Sequence, residues 1–271
     1  MVSQESASIG GLRVDLDDRG VGWLEIDRPD RMNALDNATS AALTETLHRW
    51  STDDRVRVVV ISGRGGAFSA GADVLDILES SSQSSGGFEA DHARGVIATG
   101  SAMAQAVRAV RVPVIAAVDG AAAGIGASLA LAADLVYATS RSYFLLAFIN
   151  IGLMPDGGAS MLVSASIGRA RANALALLGE KLRADEAYAA GLVTGIAADR
   201  SELDRTVDAA VTKLIRSSTR ALRLTKAALD AETMAGFDAA IERELDGQTE
   251  LLQTSDFQAA IAAFAGPKSQ G

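Results

Sequence analysis

Val56-Arg57-Val58-Val59-Val60-Ile61 running into Ser62-Gly63-Arg64-Gly65-Gly66-Ala67-Phe68-Ser69-Ala70-Gly71-Ala72-Asp73-Val74 sets the architecture of this chain. An almost unbroken β-branched run suits a strand covered on both faces, as in a parallel sheet. The small residues after it let a ligand come up against the main chain. A helix is expected to follow, with Asp73 satisfying free N–H groups of its first turn.

Working outward, Leu12 to Asp17 and Val21 to Asp27 read as strands joined by an Asp18-Arg19-Gly20 turn. Thr39 to Trp50 carries Leu43, Leu47 and Trp50 at helical spacing, which predicts an inward-packing helix. A helix from about Asp91 to Val110 leads into a second buried strand, Val112 to Val118, and a third is Leu135 to Thr139. Strand alternating with helix is the rhythm of right-handed crossovers, so the fold class is α/β. From Gly168 onward the pattern becomes successive amphipathic helices: Ala170 to Leu178, Ala184 to Ala190, Arg205 to Arg216 and Phe237 to Leu252. Ser80 to Gly87 is of low complexity and reads as a loop.

Composition narrows the function. The chain has 271 residues, is 48% hydrophobic and carries a net charge of -9, which argues against nucleic acid as its main partner. It has 0 cysteines, so thiolate metal sites and disulfides are excluded and a cytoplasmic setting is the simplest expectation. The first residues lack the features of a signal peptide, and the uncharged stretch Gly120 to Ala133 is too short to span a bilayer. His48 and His92 are too far apart to suggest a metal site, and Trp23 and Trp50 read as core or core edge.

A second small-residue loop, Asp119-Gly120-Ala121-Ala122-Ala123-Gly124-Ile125-Gly126, leaves the next strand and again runs into a helix. Two such loops present N–H groups at the carboxyl ends of adjacent strands, where open α/β sheets bind ligands. Converging donors of this kind form an oxyanion hole. Close packing alone is the competing explanation of either loop. The glycine order does not fit G-x-G-x-x-G, and no phosphate-binding Gly-Lys-Ser/Thr loop occurs. The one acid that such a site needs is Asp156, in Gly152-Leu153-Met154-Pro155-Asp156-Gly157-Gly158, among Phe148, Ile149, Ile151, Leu153 and Met154. An apolar setting makes a carboxylate more basic. Read locally, the same residues also describe an ordinary Pro-Asp-Gly-Gly turn.

From about Leu12 onward the chain resembles the crotonase family, also called the enoyl-CoA hydratase/isomerase superfamily. Four segments carry the resemblance: Arg28-Pro29-Asp30-Arg31-Met32-Asn33-Ala34-Leu35, Ala67 to Asp73, Ala117 to Ala130, and Gly152 to Gly158. It implies a crotonase ββα spiral core over residues 1–200 and a C-terminal helical oligomerisation region over 201–271, assembled as a homotrimer or dimer of trimers. The implied substrate is an acyl-CoA thioester whose carbonyl oxygen accepts from the N–H groups of Ala72 and Ile125, with no cofactor beyond the coenzyme A of the substrate. It further implies that Met32, Ala34, Ala70, Gly71, Asp73, Val74, Gly124, Phe148, Leu153 and Pro155 surround the thioester. Arg31 and Lys268 are implied near the CoA phosphates, although each alone also reads as a surface charge.

Family hydratases add water with two glutamates, and the aligned positions here hold Ser128 and Phe148. Neither is a base at neutral pH. Family isomerases place a single acid where Asp156 falls, which favours a 3-enoyl to 2-enoyl double-bond shift, on fatty or ring-derived acyl groups. A hydratase, or a member that binds acyl-CoA with little catalysis, is the alternative. Family dehalogenases pair this aspartate with a histidine that neither His48 nor His92 supplies.

Overall fold

The computed structural model describes residues 5–73 and 90–265. Strands β1 (Glu5–Ile9), β2 (Leu12–Leu16) and β3 (Val21–Ile26) form an antiparallel meander. The expected hairpin is there, its turn tied by Asp17, whose Oδ1 accepts from the N–H of Arg19 at 2.9 Å and of Val21 at 3.0 Å. β1 is one strand more than the sequence predicts. Helix α1 (Asn37–Thr52) starts before Thr39 because Asp36 caps it, accepting from Thr39 N at 2.8 Å, and it buries Leu43, Leu47 and Trp50 as their spacing requires.

Strand β4 (Val58–Gly63) begins later than the β-branched run, since Val56 is held in a turn by its N–H to Asp53 O at 3.1 Å. Helix α2 (Ala90–Ala109) then leads to β5 (Val114–Val118), β6 (Ala121–Ala123) and helix α3 (Ile125–Leu131). After β7 (Leu135–Thr139) and β8 (Tyr143–Leu145) come helix α4 (Ala159–Leu178), β9 (Leu182–Arg183), α5 (Ala184–Ala190) and β10 (Gly195–Ala197). The chain closes with α6 (Arg200–Arg216), α7 (Thr219–Thr233), α8 (Phe237–Leu251) and α9 (Ser255–Ala265). The main sheet has the order β1-β2-β3-β4-β5-β7-β10, parallel from β3 onward, and a small second sheet is ordered β6-β8-β9.

The alternation of β4 explains why it is apolar throughout. Val59 and Ile61 join the large core beneath α1 and α2, whereas Val58 and Val60 point to the opposite face and pack with Leu203, Val207 and Val211 of α6. The sheet is thereby covered on both sides. Three corrections follow for the region after Gly168. It is not wholly helical, because β9 and β10 return to the two sheets. The helix expected at Arg205 starts at Arg200, because the Asp199 side chain accepts from Glu202 N at 2.9 Å. The helix expected from Ala170 is likewise the second part of α4, which runs from Ala159 across a non-helical Gly168. The boundary expected at 200/201 falls at the start of α6, whose apolar face lies on the sheet. The predicted Ser80–Gly87 loop lies outside the described residues.

Candidate active site

The loops after β4 and β5 are laced together at the carboxyl ends of neighbouring parallel strands. Phe68 and Ser69 donate their N–H groups to Ala121 O at 2.9 and 3.0 Å, and Ala123 N donates to Ser69 O at 2.9 Å. Further along they touch at Gly71, where an added Cβ would lie 2.9 Å from Ala123 O and 3.6 Å from Gly124 Cα. Gly71 also has φ +101°, so both space and backbone require glycine.

This lacing leaves two amides unused. Leu35 N donates to Gly71 O at 2.8 Å and Asp73 N donates to Leu35 O at 3.0 Å, and the alternation of a bridged strand turns the N–H of Ala72, between them, the other way. Ile125 is the first residue of α3, where no helical acceptor exists. Among the described residues neither N–H has a hydrogen-bond acceptor. Ala72 and Ile125 line one cavity of about 410 Å³ together with Asp156 and Phe148.

Asp156 is fixed to the helix that bears the second amide. Ser128 Oγ donates to Asp156 O at 2.7 Å, and Gly157 packs so closely that an added Cβ would lie 2.5 Å from Ile125 Cδ1. Asp156 is 6% exposed. Its Oδ2 accepts from Gln248 Nε2 at 3.2 Å, while its Oδ1 has no partner. Burial pushes its pKa up to about 8, and the charge of Glu244 adds to the rise against the pull of the Gln248 hydrogen bond. The turn does not use this carboxylate. Its amides go to Glu244, fully buried, whose Oε2 accepts from Gly158 N at 2.6 Å and whose Oε1 accepts from Ser160 N at 2.9 Å. Burial raises the Glu244 pKa too, opposed by its bonds to Ser160 and Gly158 and by Arg243.

Of the other residues singled out in the sequence, Ala70, Gly71, Gly124, Phe148 and Leu153 share the cavity with Ala72, Ile125 and Asp156. Pro155 is half-buried beside it. Arg31 and Met32 are exposed, and Met32 O accepts from Ala70 N at 3.0 Å, which places this segment at the rim. Ala34 is buried, and its carbonyl accepts from Arg28 Nη1. Asp73 is ion-paired with Arg28 Nη2 at 3.0 Å, a guanidinium that also meets Asp36 at 3.0 Å. Val74 and Lys268 lie outside the described residues.

Sequence reasoning missed three residues. Glu244 and Gln248 come from α8, one turn apart on a face that otherwise buries Phe237, Ile241 and Leu245. A polar pair on an apolar helix face was the available signal. The third, Asn33, is fully buried at φ +56° and donates from Nδ2 to Arg64 O at 2.8 Å and Ala67 O at 2.7 Å. Its Oδ1 accepts from Arg28 N at 2.9 Å, so one side chain fastens the rim to the first loop. Asn33→Ala strips these bonds and leaves backbone groups unpaired. The expected cost is about 3 kcal/mol, measurable as a lowered Tm.

No group of three or more His, Cys, Asp or Glu residues suited to a metal occurs among the described residues, and none of their helices is long and apolar enough to cross a membrane. Two free amides and a buried acid on the wall of one apolar cavity are groups of the kind that polarise a carbonyl and move a proton beside it. Comparison with known proteins gives the family. The family model described as enoyl-CoA hydratase/isomerase matches residues 17–269. A probable enoyl-CoA hydratase of Rhodobacter capsulatus is 36% identical over 246 residues, 90% of this chain and 91% of the relative. The 1,2-epoxyphenylacetyl-CoA isomerase of Escherichia coli strain K12 is 32% identical over 252 residues, 93% and 94% of the two chains. A crystal structure of an enoyl-CoA hydratase from Mycobacterium avium subsp. paratuberculosis K-10 superposes with a TM-score of 0.84 at 39% identity, covering 95% of this chain and 96% of that one. The chain belongs to the enoyl-CoA hydratase/isomerase family, whose members act on acyl-CoA thioesters and share the crotonase fold. Its relatives carry both hydratase and isomerase names.

Proposed function

We propose that the protein is an enoyl-CoA isomerase that shifts a 3-enoyl thioester to the 2-enoyl isomer with Asp156 as its one acid–base group. The observation that carries this reading is the buried Asp156 on the wall of the cavity that Ala72 and Ile125 also line. The positions of the family hydratases' two glutamates hold Ser128, whose hydroxyl is committed to Asp156 O, and Phe148, an apolar wall. The thioester oxygen accepts from the amides of Ala72 and Ile125. Asp156 removes a proton from C2, the electron pair moves into a dienolate held by those amides, and the proton returns at C4, leaving the double bond between C2 and C3. Ile97, Leu145, Phe148, Leu252, Phe257 and Ile261 offer the acyl chain an apolar surface. Arg31, Met32 and Ala34 flank the CoA side, and no further cofactor takes part. Assembly as a trimer or dimer of trimers belongs to this proposal, supported by α7, which buries no residue and leaves Leu224 63% and Leu229 62% exposed.

Parallel assays with 3-enoyl-CoA and 2-enoyl-CoA test it. Conversion of the first is expected to exceed hydration of the second by about 100-fold or more, the gap that a missing general acid–base group leaves. Hydration without isomerisation would make the protein a hydratase, and turnover of neither would leave a binding protein. A base must be ionised, so kcat/KM is expected to climb roughly tenfold per pH unit and flatten above a pH of about 8, the pKa that burial gives Asp156.

A further inference from the structure

Asp156 stands two residues before Gly158, at the start of α4. In this position an aspartate ordinarily folds back onto the N–H two residues on, and such bonds make a carboxylate a weak base. Here Glu244 has taken that N–H, and the N–H of Ser160 as well. Burying a second carboxylate is costly, and a local cap would need none. Glu244 therefore does something for the turn that Asp156 does not do for itself.

We infer that Glu244 is a positioning residue for proton transfer: by occupying the amides of Gly158 and Ser160 it keeps Asp156 from capping its own helix and leaves that carboxylate basic and beside the cavity. The inference rests on reading Asp156 as the base. Two effects act in the same direction, since the donors that favour the Asp156 anion are removed and a neighbouring negative charge disfavours it. Gln248, one turn along α8, completes the arrangement by holding both Asp156 Oδ2 and, at 2.5 Å, Met154 O, which fixes how the carboxylate faces.

The surroundings leave Glu244 little competition. α3 and the turn Ala147–Ile151 carry no ionisable group, nor does α4 from Ala159 to Ile167. On α2, Asp91 and His92 stand in the first turn and Arg94 is paired with Glu242 and Asp246 at the surface, and Asp256 opens α9 beside Gly152. Arg243 acts on Glu244 itself. Among the described groups, Glu244 is the charge that acts on Asp156.

Glu244→Gln tests this in the full chain, because one amide oxygen replaces a carboxylate that serves two donors. The protonation of Asp156 is followed by the infrared carbonyl band that Asp156→Asn removes. Its midpoint is expected to fall by about one pH unit or more, and the acid limb of kcat/KM to move with it, while KM for 3-enoyl-CoA changes less than about twofold. A slower enzyme whose midpoint and limb stay in place would overturn the inference and leave Glu244 a helix cap. If Glu244→Gln does not fold, Glu244→Asp, too short to serve both amides, is titrated instead, with a smaller fall expected and no movement again overturning the idea. Failure of the base reading shows separately, as turnover that survives Asp156→Asn, and the infrared titration still reports on Glu244 in that case.

Discussion

Asp156→Asn is expected to lower kcat for 3-enoyl-CoA isomerisation by at least about 1,000-fold and, in the same protein, to raise its thermal stability. The first effect follows because the amide has no usable lone pair for a C2 proton, and Ser128, Phe148 and Gln248 supply no second base. Thioester binding persists, since the amides of Ala72 and Ile125 and the apolar walls are untouched. Stopped turnover with an unchanged Kd is the expected pair of measurements. The second effect follows from the sign of the pKa shift. A carboxyl raised from 3.8 to about 8 holds a proton in the folded chain that the unfolded chain releases. Between those pH values stability falls as pH rises, and it levels off above the folded pKa. At pH 7 the penalty is of order 4 kcal/mol. The buried amide of asparagine has a cost of its own, so a net gain of about 2 kcal/mol, or ~5 °C in Tm, is expected. The gain should shrink towards pH 4, and an equal gain at pH 4 and pH 8 would contradict the assignment.

Gly71→Ala is expected to cost about 100-fold or more in kcat with Asp156 intact. The new Cβ meets the carbonyl of Ala123, which is held by the lacing of the two loops and cannot swing aside as a flexible side chain would. A φ of +101° adds strain of about 1–3 kcal/mol for any residue with a Cβ. Both are relieved by moving Gly71 away from Gly124, and that motion separates the two amides that must converge on one oxygen. Since a thioester in its ground state is bound by the same contacts less strongly than its dienolate, kcat falls further than affinity. Intact turnover in this variant would mean that Ala72 N–H does not face the reacting oxygen.

Much of this was legible in the chain itself, for identifiable reasons. The Val56 to Ile61 run announced a strand covered on both faces, and the alternation of Val58, Val59, Val60 and Ile61 between two cores is what that pattern means physically. The two glycine and alanine loops were visible because close backbone approach excludes larger residues. Asp156 was visible because ionisable neighbours were absent. β1 escaped because its sequence, Glu5 to Ile9, is an edge strand with Ile9 45% exposed, and no alternation marks it. β6 escaped because three alanines carry almost no strand signal. Glu244 and Gln248 showed in the sequence only as a polar pair on an apolar helix face, with nothing to name their partners. Glu244 reaches Gly158 across 86 residues of chain and Gln248 reaches Asp156 across 92, and no local periodicity reports a tertiary contact of that kind.

In the proposed reaction Ala72 and Ile125 act through their main-chain amides, and this has an evolutionary consequence. Any residue except proline offers the same hydrogen at those two places, so random substitution leaves the electrophilic half of the machine standing while the acids around it come and go. Lineages that share such a scaffold can exchange one reaction for another by relocating a single carboxylate. Proteins that have diverged in what they make are then expected to remain alike along nearly their whole length, as the mixed names among the relatives of this chain illustrate.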